Sequence, residues 1–395
     1  MLTSTLPRFQ GDMQANFVGE QAEAWLSARP DAQITILAPH DIKAPQREQR
    51  DRLTIERFSY MWPARAQTLA YPAIMPNIRR NPLIGLQVPG FLFAQARYAK
   101  KLMEKERFDC IYAHWVMPQG LVARWLSQRT GVPYILQTHS SDLSVLLKAG
   151  GAGRRLAQNL LRDASRFFCV NSGQLDIALG ILPEADWGTF RSKSAVLPMG
   201  VADLTPAKSN SDGADIGTIG RLSRKKGLDF LIAAAEELAA QGERPRIAIA
   251  GDGEEAAALK AAVNHSAVEF SGFVSGAEKD AFLAACKRFA FPAKAADGDV
   301  EGLPVALLEA LMRGQPVLAS RDTNIELLPE WPQIKDDVVF VPDPEDIGAL
   351  AQGLKILLAR APGSAKRSAD IVGRYRWERL IEEYLAPIEA EITVG

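Results

Sequence analysis

Hydrophobic residues along the chain form short runs that alternate with longer stretches of helical period. The runs are rich in β-branched and aromatic residues, which is typical of buried strands, and the stretches between them repeat apolar residues three or four positions apart. This alternation predicts an α/β fold with parallel sheets that are covered by helices on both faces. In the first half it predicts strands at 34–37, 110–112, 134–136 and 166–170, and helices that include 19–28 and 120–128.

The second half shows the same alternation more clearly. Right-handed crossovers between successive parallel strands would make each half a doubly wound, Rossmann-like unit. The predicted strands are 215–219, 246–250, 267–270, 288–291, 316–319 and 338–341. The predicted helices between them are 227–241, 254–264, 278–286 and 304–313.

Turn-forming residues indicate where the domains divide. The polar stretch 203–213 predicts a linker between a domain of residues 1–202 and a domain of residues 214–374. Residues 375–395 hold a further helical pattern, at 375–392, which could cross back to the first domain. The candidate buried face of this helix consists of Trp377, Leu380, Ile381 and Tyr384.

Residues 59–93 depart from the alternation. Five prolines exclude one long helix, and aromatic and apolar residues are interleaved with arginines. Aromatic and basic groups suit the headgroup zone of a membrane, so an interfacial contact is one interpretation. An irregular excursion that packs on the first domain is the other, and the sequence leaves both open.

Composition places the chain among globular proteins. Its 395 residues are 47% hydrophobic and 24% charged, which is enough for the cores of two domains. No apolar run approaches the ~18–20 residues of a transmembrane helix, and the N-terminus lacks the pattern of a signal peptide. The three cysteines are widely spaced, which favours free thiols in a reducing compartment. We therefore expect a cytoplasmic protein.

Charge is unevenly distributed, although the net charge is only −1. Residues 1–208 carry 25 Lys and Arg against 17 Asp and Glu, a net charge of +8, and residues 209–395 carry 21 against 30, a net charge of −9. A basic first half suggests an anionic partner there, such as a membrane surface or a phosphorylated acceptor. Attraction between the basic half and the acidic half is the alternative.

The strongest chemical signal is a pair of glutamates around the start of a predicted helix. Glu301 precedes this helix, Glu309 lies on it, and Pro304 stands at its first position, where proline is tolerated. The unpaired N–H groups of a helix start favour a diphosphate, and Gly302 lets the backbone approach it closely. The two carboxylates could then bind the sugar and the ribose of one ligand. An amphipathic helix with two solvated glutamates is the alternative.

A basic loop after the predicted strand 215–219 supplies the second signal. Arg221 and Lys226 lie where two cations could neutralise a diphosphate leaving group. Arginine would bind phosphate oxygens through its planar fork, and lysine would act as a point charge. Ligands of parallel sheets bind at the carboxyl ends of strands, where both signals are expected. A solvated basic loop is the alternative.

Several motifs resemble those of family 4 glycosyltransferases, which have the GT-B fold. In the second half these are Gly220-Arg-Leu with Lys226-Gly227, Ala250-Gly-Asp-Gly253, Gly272-Phe-Val274 and the element from Glu301 to Glu309. The first half is similar to bacterial members of the family in residues 2–12, His114-Trp-Val-Met-Pro-Gln-Gly120, Thr138-His-Ser-Ser-Asp-Leu143 and Pro198-Met-Gly-Val201. The resemblance implies two Rossmann-like domains that face a central cleft. Ser140 departs from the family, in which glycine is common at that position.

The resemblance also implies roles for the residues at matching positions. Arg221 and Lys226 would bind the donor diphosphate. Glu301 would bind hydroxyls of the donor sugar, and Glu309 would bind the ribose. The other donor-side positions are Gly302 and Leu303 at the phosphates, Gly251, Gly253, Phe273 and Val274 around the base, Gly11 in a flexible glycine loop, and His139 at the donor sugar. The acceptor-side candidates are His114 and Asp142.

Two further patterns point to other ligands. The run Gly251-Asp-Gly-Glu-Glu-Ala256 fits a dinucleotide fingerprint with Glu269 at the end of the next strand, but an NAD site would leave Glu301 and Arg221 without a role. Asp297-Gly-Asp299 resembles a DxD metal clamp, although only two oxygen ligands are visible. The four histidines show no zinc-site spacing. We therefore expect no required metal and no cofactor besides the nucleotide-sugar.

The expected function is that of a retaining, metal-independent hexosyltransferase in surface polysaccharide biosynthesis. Retention is implied by the resemblance, with front-face attack on an oxocarbenium-like centre. The expected donor is a UDP- or GDP-sugar, the expected acceptor is a saccharide or a polyprenyl-diphosphate-linked saccharide, and no nucleic acid is expected. Contact with the inner face of the cell membrane would be peripheral. The alternatives are a GT-B sugar-nucleotide epimerase, an NAD-dependent oxidoreductase and a saccharide-binding protein without catalysis.

Overall fold

The computed structural model describes residues 1–9, 11–12, 14, 16–139, 142–202, 213–296 and 301–394. The chain divides into two compact units, one formed by Met1–Met199 with Trp377–Gly395 and the other by Gly200–Arg376. Nearly all of the predicted linker 203–213 lies outside the described residues, so that boundary stays a prediction.

A mainly parallel sheet forms the centre of the first unit. Its strands are β1 (Ile34–Pro39), β2 (Arg47–Arg50), β3 (Leu53–Phe58), β4 (Ile111–His114), β5 (Tyr134–Thr138), β6 (Arg166–Cys169) and β7 (Ser194–Val196). Leu2 bridges to both Leu37 and Ala113, so residues 1–3 lie between β1 and β4. The order is therefore β2-β3-β1, residues 1–3, then β4-β5-β6-β7, and only the edge strand β2 is antiparallel. Strands β4 and β5 are buried at every position, as strands covered on both faces must be.

Helices cover this sheet and supply its core. They are α1 (Phe17–Ala28), α2 (Ile74–Arg80), α3 (Val88–Met103), α4 (Gln119–Thr130), α5 (Asp142–Leu147), α6 (Gly150–Asp163), α7 (Ser172–Ile181) and α8 (Trp187–Ser192). The unusual stretch 59–93 contains α2, a 3₁₀ turn at Pro82–Gln87 and the start of α3. The prediction from its prolines, that this stretch is not one long helix, is therefore confirmed.

The second unit is an all-parallel sheet in doubly wound order. Its strands are β8 (Ile216–Ile219), β9 (Ile247–Ala250), β10 (Val268–Gly272), β11 (Phe289–Phe291), β12 (Val317–Ala319) and β13 (Val338–Phe340). They are arranged as β10-β9-β8-β11-β12-β13, the order of a dinucleotide-type Rossmann fold. The direction of strand succession reverses between β8 and β11. The loops that follow these two strands therefore flank the switch point of the sheet.

Helices cover the second sheet as well. They are α9 (Leu228–Ala240), α10 (Ala256–Ala262), α11 (Gly276–Ala285), α12 (Val305–Met312), α13 (Trp331–Ile334), α14 (Ile347–Ala359) and α15 (Lys366–Val372). Helix α9 turns an apolar face to the core that includes Leu231, Ile232 and Leu238, and α14 packs beside it.

The last helix, α16 (Trp377–Val394), belongs to the first unit and packs on α1. Its predicted buried face is confirmed, since Trp377, Leu380, Ile381 and Tyr384 are all buried. The hydroxyl of Tyr384 accepts a hydrogen bond from Gln137 on β5 at 2.9 Å and donates to the carbonyl of Leu197 at 2.9 Å. These buried polar contacts fix the helix against the first sheet.

Each predicted strand and helix named above is present within two residues at each end. The sequence pattern did not predict β2, β3 and β7. Strand β2 is entirely polar and mostly exposed at the sheet edge, so it carries no hydrophobic period. Strand β3 contains the buried Arg57, whose guanidinium donates to the carbonyl of Pro7 at 2.6 Å, and a sequence alone does not reveal such a partner.

Candidate functional site

Two loops meet at the switch point of the second sheet. The loop after β8 contains the 3₁₀ turn Arg224–Lys226, and the loop after β11 leads to Glu301 at the approach to α12. Nζ of Lys226 lies 3.1 Å from Oε2 of Glu301. Lys226 also lines a cavity together with Gly220 and Pro304. Open α/β sheets bind their ligands at such a point.

The carboxylate of Glu301 is buried but ionised. Only 8% of the residue is exposed. Burial raises the pKa of Glu301, but the positive charges of Lys226 and Lys225 more than offset this effect, so the pKa lies below its ordinary value. Lys225 was not predicted, and its Nζ is 3.5 Å from Oε1 of Glu301. An ionised, preoriented carboxylate can accept hydrogen bonds from sugar hydroxyls.

Glu309 is the second buried carboxylate of this site. It lies on α12 with 5% of its surface exposed. Its Oε1 is 2.6 Å from Nζ of Lys279 on α11, while its Oε2 is buried and has no hydrogen-bond partner among the described residues. The alternative of two solvated glutamates is therefore wrong. Lys279 was not predicted, because only the packing of α11 beside α12 brings it to Glu309.

Arg221 lies in the same loop as Lys226, and in this structure it forms an ion pair. Its guanidinium is 3.0 Å from Oε2 of Glu254, which follows β9. The backbone N–H of Leu222 donates to the carbonyl of Asp252 at 2.9 Å. A Cβ on Gly253 would lie 2.3 Å from the carbonyl oxygen of Leu222, so the close approach of these loops requires glycine. The turn after β9 thus holds the basic loop in place.

The turn at Gly251 and the segment Phe273-Val274, both expected to border the base of the donor nucleotide, lie next to each other. The N–H of Gly251 donates to the carbonyl of Gly272 at 2.7 Å, which places the turn at Gly251 beside Phe273 and Val274. The dinucleotide-like run at Gly251 follows β9, the second strand of the doubly wound order. An NAD fingerprint belongs after the first strand, at the switch point, so the topology does not favour NAD here.

Asn324 supports the loop that contains Gly302 and Leu303. Its side-chain amide donates to the carbonyl of Glu301 at 2.7 Å and to the carbonyl of Gly302 at 3.0 Å. Asn324 has a left-handed φ of 59°, which asparagine tolerates better than most residues. The sequence analysis missed this residue, which lies 15 positions beyond Glu309 and has no motif of its own.

A pair of stacked histidines lies at the carboxyl ends of β4 and β5 in the first unit. Nδ1 of His114 is 3.1 Å from Nε2 of His139. His114 is fully buried, whereas His139 is partly exposed, and its ring centroid lies 4.8 Å from that of Phe17 and 4.9 Å from that of Trp115. Burial lowers the pKa of His139 to about 3 and that of His114 well below its ordinary value. Both imidazoles are therefore neutral at neutral pH.

Asp142 ties the two loops of the first unit together. Its carboxylate accepts a hydrogen bond from the N–H of Val116 at 2.7 Å and another from the hydroxyl of Thr138. Trp115, just before Val116, has a left-handed φ of 73°, an uncommon backbone conformation for a bulky residue. Ser140, where the sequence departs from the family motif, lies outside the described residues.

Gly11 has a left-handed φ of 82°, and an added Cβ there would meet no atom within 4 Å. On either side of it, Arg8 and Asp12 form an ion pair with Nε 2.8 Å from Oδ2. The structure thus shows a turn at Gly11 that is held by neighbouring charges. The role of Gly11 at a phosphate stays a prediction.

The described residues contain no cluster of metal ligands and no membrane span. Among the described residues, no three His, Cys, Asp or Glu side chains lie together in a way that could hold a metal ion. Asp297 and Asp299 of the DxD pattern lie outside those residues, so metal independence stays a prediction. The three cysteines are free. No helix within the described ranges has the length and apolar character needed to cross a bilayer.

Family models match both units. A model described as "Glycosyl transferase 4-like domain" matches residues 14–186, and one described as "Glycosyl transferases group 1" matches residues 213–360. The chain belongs to the family 4-like glycosyltransferases. The resemblance stated from its motifs is therefore confirmed.

Relatives of this glycosyltransferase have names from surface polysaccharide biosynthesis. The chain is 36% identical over 177 residues to the putative colanic acid biosynthesis glycosyltransferase WcaL of Escherichia coli K12, an alignment that covers 42% of each chain. It is 26% identical over 311 residues to the putative teichuronic acid biosynthesis glycosyltransferase TuaC of Bacillus subtilis, which covers 73% of this chain and 67% of TuaC. The match to WcaL thus spans less than two thirds of that protein.

A solved structure shows the same fold. The Anabaena protein HepE, crystallised in complex with UDP and glucose, superposes with a TM-score of 0.64 at 16% identity, and the match covers 98% of both chains. The GT-B fold is therefore confirmed. The family models and relatives do not support an epimerase or an NAD-dependent oxidoreductase.

Proposed function

We propose that the chain is a retaining, metal-independent glycosyltransferase of surface polysaccharide biosynthesis. It transfers a sugar from a UDP- or GDP-sugar to a saccharide or polyprenyl-diphosphate-linked saccharide, at the cytoplasmic face of the membrane. The observation that carries the proposal is the 3.1 Å contact between Lys226 and Glu301 at the switch point of the second sheet. A cation beside a carboxylate at this point supports a diphosphate and a sugar as neighbouring parts of one ligand.

The donor site divides into parts with separate tasks. Lys226 and Arg221 neutralise the diphosphate, and the backbone at Gly302 and Leu303, just before the start of α12, borders its phosphates, where a helix N-terminus favours negative charge. Glu301 holds hydroxyls of the sugar. Glu309 holds the ribose with its free, buried Oε2. The turn at Gly251 and Gly253 with the segment Phe273-Val274 borders the base.

His139 of the first unit contacts the transferred sugar in this proposal. Its neutral ring is flanked by Phe17 and Trp115, and aromatic faces of this kind pack well against the C–H surface of a sugar. His114 and Asp142 hold the loops around it and do not bind acceptor directly, since His114 is fully buried and Asp142 is occupied by Val116 and Thr138.

The proposed reaction keeps the anomeric configuration without a protein nucleophile. The bond from C1 of the sugar to the diphosphate oxygen breaks, and the acceptor oxygen forms its bond to C1 from the same face. The acceptor proton moves to an oxygen of the leaving diphosphate. Catalysis then consists of positioning and of stabilising the charge that develops on the diphosphate.

A donor panel tests this function. The protein is incubated with UDP, GDP, their sugars and NAD, with and without EDTA, and its melting temperature and the hydrolysis of each donor are recorded. We expect one nucleoside diphosphate to raise the melting temperature equally in both conditions, and the product sugar to retain its anomeric configuration by NMR. A shift with NAD alone, epimerised donor without transfer, an inverted product or activity abolished by EDTA would each contradict a stated part of the proposal.

A further inference from the structure

Large apolar side chains are strongly exposed in one segment of the first unit. Trp62 is 89% exposed, Leu86 78%, and Leu83 and Phe93 are each 71% exposed. We call these four residues the apolar patch. Burial of such side chains is favourable, so four that stay in water within 32 residues of chain point to a binding surface.

Backbone and side-chain contacts bring the parts of this patch together. Gly90 on α3 approaches the chain near Trp62, since a Cβ on Gly90 would lie 3.2 Å from the carbonyl oxygen of Tyr60. The side-chain amide of Gln87 donates to the carbonyl of Ala66 at 3.1 Å. Leu86 lies in the 3₁₀ turn that leads directly into α3, and Phe93 lies in the second turn of α3, so both are close to Gly90 along the chain.

Positive charge surrounds the patch. Residues 59–103 contain six Lys and Arg and no Asp or Glu. The arginines Arg65, Arg79, Arg80 and Arg97 are exposed, and within the described part of the chain none of them forms an ion pair with a carboxylate. Lys100 is different, because it pairs with Glu104 at 3.2 Å. An apolar surface with unpaired cations at its border needs a partner that is apolar inside and negative at its edge.

We propose that the apolar patch docks the protein on an anionic lipid bilayer. The side chains of Trp62, Leu83, Leu86 and Phe93 would enter the boundary between headgroups and acyl chains, and the four arginines would contact lipid phosphates. A second copy of the chain fits less well, because a symmetric contact through this face would bring the same cations together. Docking requires no transfer chemistry, so it can be tested apart from the proposed reaction.

Vesicle flotation of the full chain tests this surface. The protein is mixed at low salt with vesicles of phosphatidylcholine alone, or of phosphatidylcholine with phosphatidylglycerol. We expect binding to the phosphatidylglycerol vesicles that weakens at high salt. The double variant Leu86→Ser, Phe93→Ser should weaken this binding at least 10-fold, and the double variant Arg79→Gln, Arg80→Gln should weaken it about 10- to 30-fold and reduce its salt dependence.

A matched control separates the patch from exposed apolar residues in general. Ile356 is 47% exposed on α14 of the second unit, and Ile356→Ser should leave flotation unchanged. Melting temperatures show whether each variant is folded. The proposal is overturned if the unmodified protein ignores phosphatidylglycerol vesicles, or if Ile356→Ser loses as much binding as the patch variant. It is also overturned if sedimentation without lipid shows a dimer that the patch variant loses, because the surface would then bind a second copy.

Discussion

Nδ1 of His114 lies 3.1 Å from Nε2 of His139, and the two rings are within 18° of parallel. Both rings are neutral, so a single proton lies between these nitrogens. Nε2 of His114 is buried and has no hydrogen-bond partner among the described residues. A buried N–H without an acceptor is rarer than a buried acceptor without a donor, so the proton of His114 belongs on Nδ1. His139 then accepts through Nε2 and carries its own proton on Nδ1.

This relationship predicts the tautomer of His139. The chain has only four histidines, so ¹⁵N-histidine labelling gives a simple spectrum in which His139 is assigned by its loss in a His139 variant. We expect a protonated Nδ1 and an unprotonated Nε2. His114→Phe removes the donor and should shift His139 toward the other tautomer. His114→Asn keeps an N–H near the position of Nδ1 and should preserve the pattern, and an Nε2-protonated His139 in the unmodified protein would show the assignment to be wrong.

The same pair predicts how stability depends on pH. Burial keeps the pKa of His114 well below its ordinary value, so the unfolded chain binds a proton below about pH 6.5 that the folded chain does not. The stability that this difference contributes is complete above that pH and is lost progressively as the pH falls below it. Urea unfolding of His114→Asn should therefore show a smaller decrease in stability from neutral to acidic pH. His265→Gln, at an exposed histidine, should behave like the unmodified protein.

Arg221 and Lys226 are expected to act mainly on turnover. Because their charges oppose the charge that develops on the leaving diphosphate, Arg221→Met or Lys226→Met should lower kcat about 10²- to 10³-fold. Affinity for the nucleoside diphosphate should fall less. Lys294→Met removes a lysine of the same unit that pairs with Asp343 at the surface, and it should have little effect. A variant with normal kcat and only a raised KM would argue against this role.

Glu309 is expected to recognise the ribose of the donor. Its Oε1 is held by Lys279, and its Oε2, which has no hydrogen-bond partner in the part of the chain that the structure describes, can accept from hydroxyls. Glu309→Gln should weaken binding of the natural donor about 10-fold and have a much smaller effect on a donor with a deoxyribose. Asp215→Asn changes another carboxylate of this unit, one that pairs with Lys287 at 3.0 Å, and serves as the control. Equal losses for the ribose and deoxyribose donors would exclude a ribose contact.

Gly253 is expected to be essential for the loop that carries Arg221. In Gly253→Ala the new Cβ would lie 2.3 Å from the carbonyl oxygen of Leu222, so the loop must shift. We expect a loss of about 1–3 kcal/mol in the free energy of unfolding, with loss of the thermal shift caused by the donor nucleotide. Gly373→Ala meets no atom within 4 Å and should change neither property. Unaltered nucleotide binding in Gly253→Ala would mean that the loop is not held by this contact.

Much of the fold could be predicted because its signals are local. The buried parallel strands are continuous apolar runs, so each of those predicted was located within two residues at each end. Edge strand β2 is polar along its whole length, and nothing in its sequence distinguishes it from a loop.

The site residues also divide into those that a local motif predicts and those that only long-range contacts bring to the site. Glu301, Glu309, Arg221 and Lys226 stand in motifs with a mechanism, so the sequence singled them out. Lys225, Lys279 and Asn324 were missed because each acts on a partner from another segment of the chain. Lys279 reaches Glu309 across 30 positions. No local pattern in the sequence predicts contacts between residues so far apart along the chain.

The sequence by itself determined the buried parallel strands and the amphipathic helices between them, and which residue types could bind a sugar-nucleotide, since both follow from side-chain chemistry and short-range spacing. Tertiary structure alone decided that Glu301 and Glu309 are buried beside lysines, that His114 lies behind His139, and that Trp62 and Phe93 stay exposed to solvent. Burial and long-range pairing depend on the packing of the whole unit. They therefore become visible only when the chain is folded.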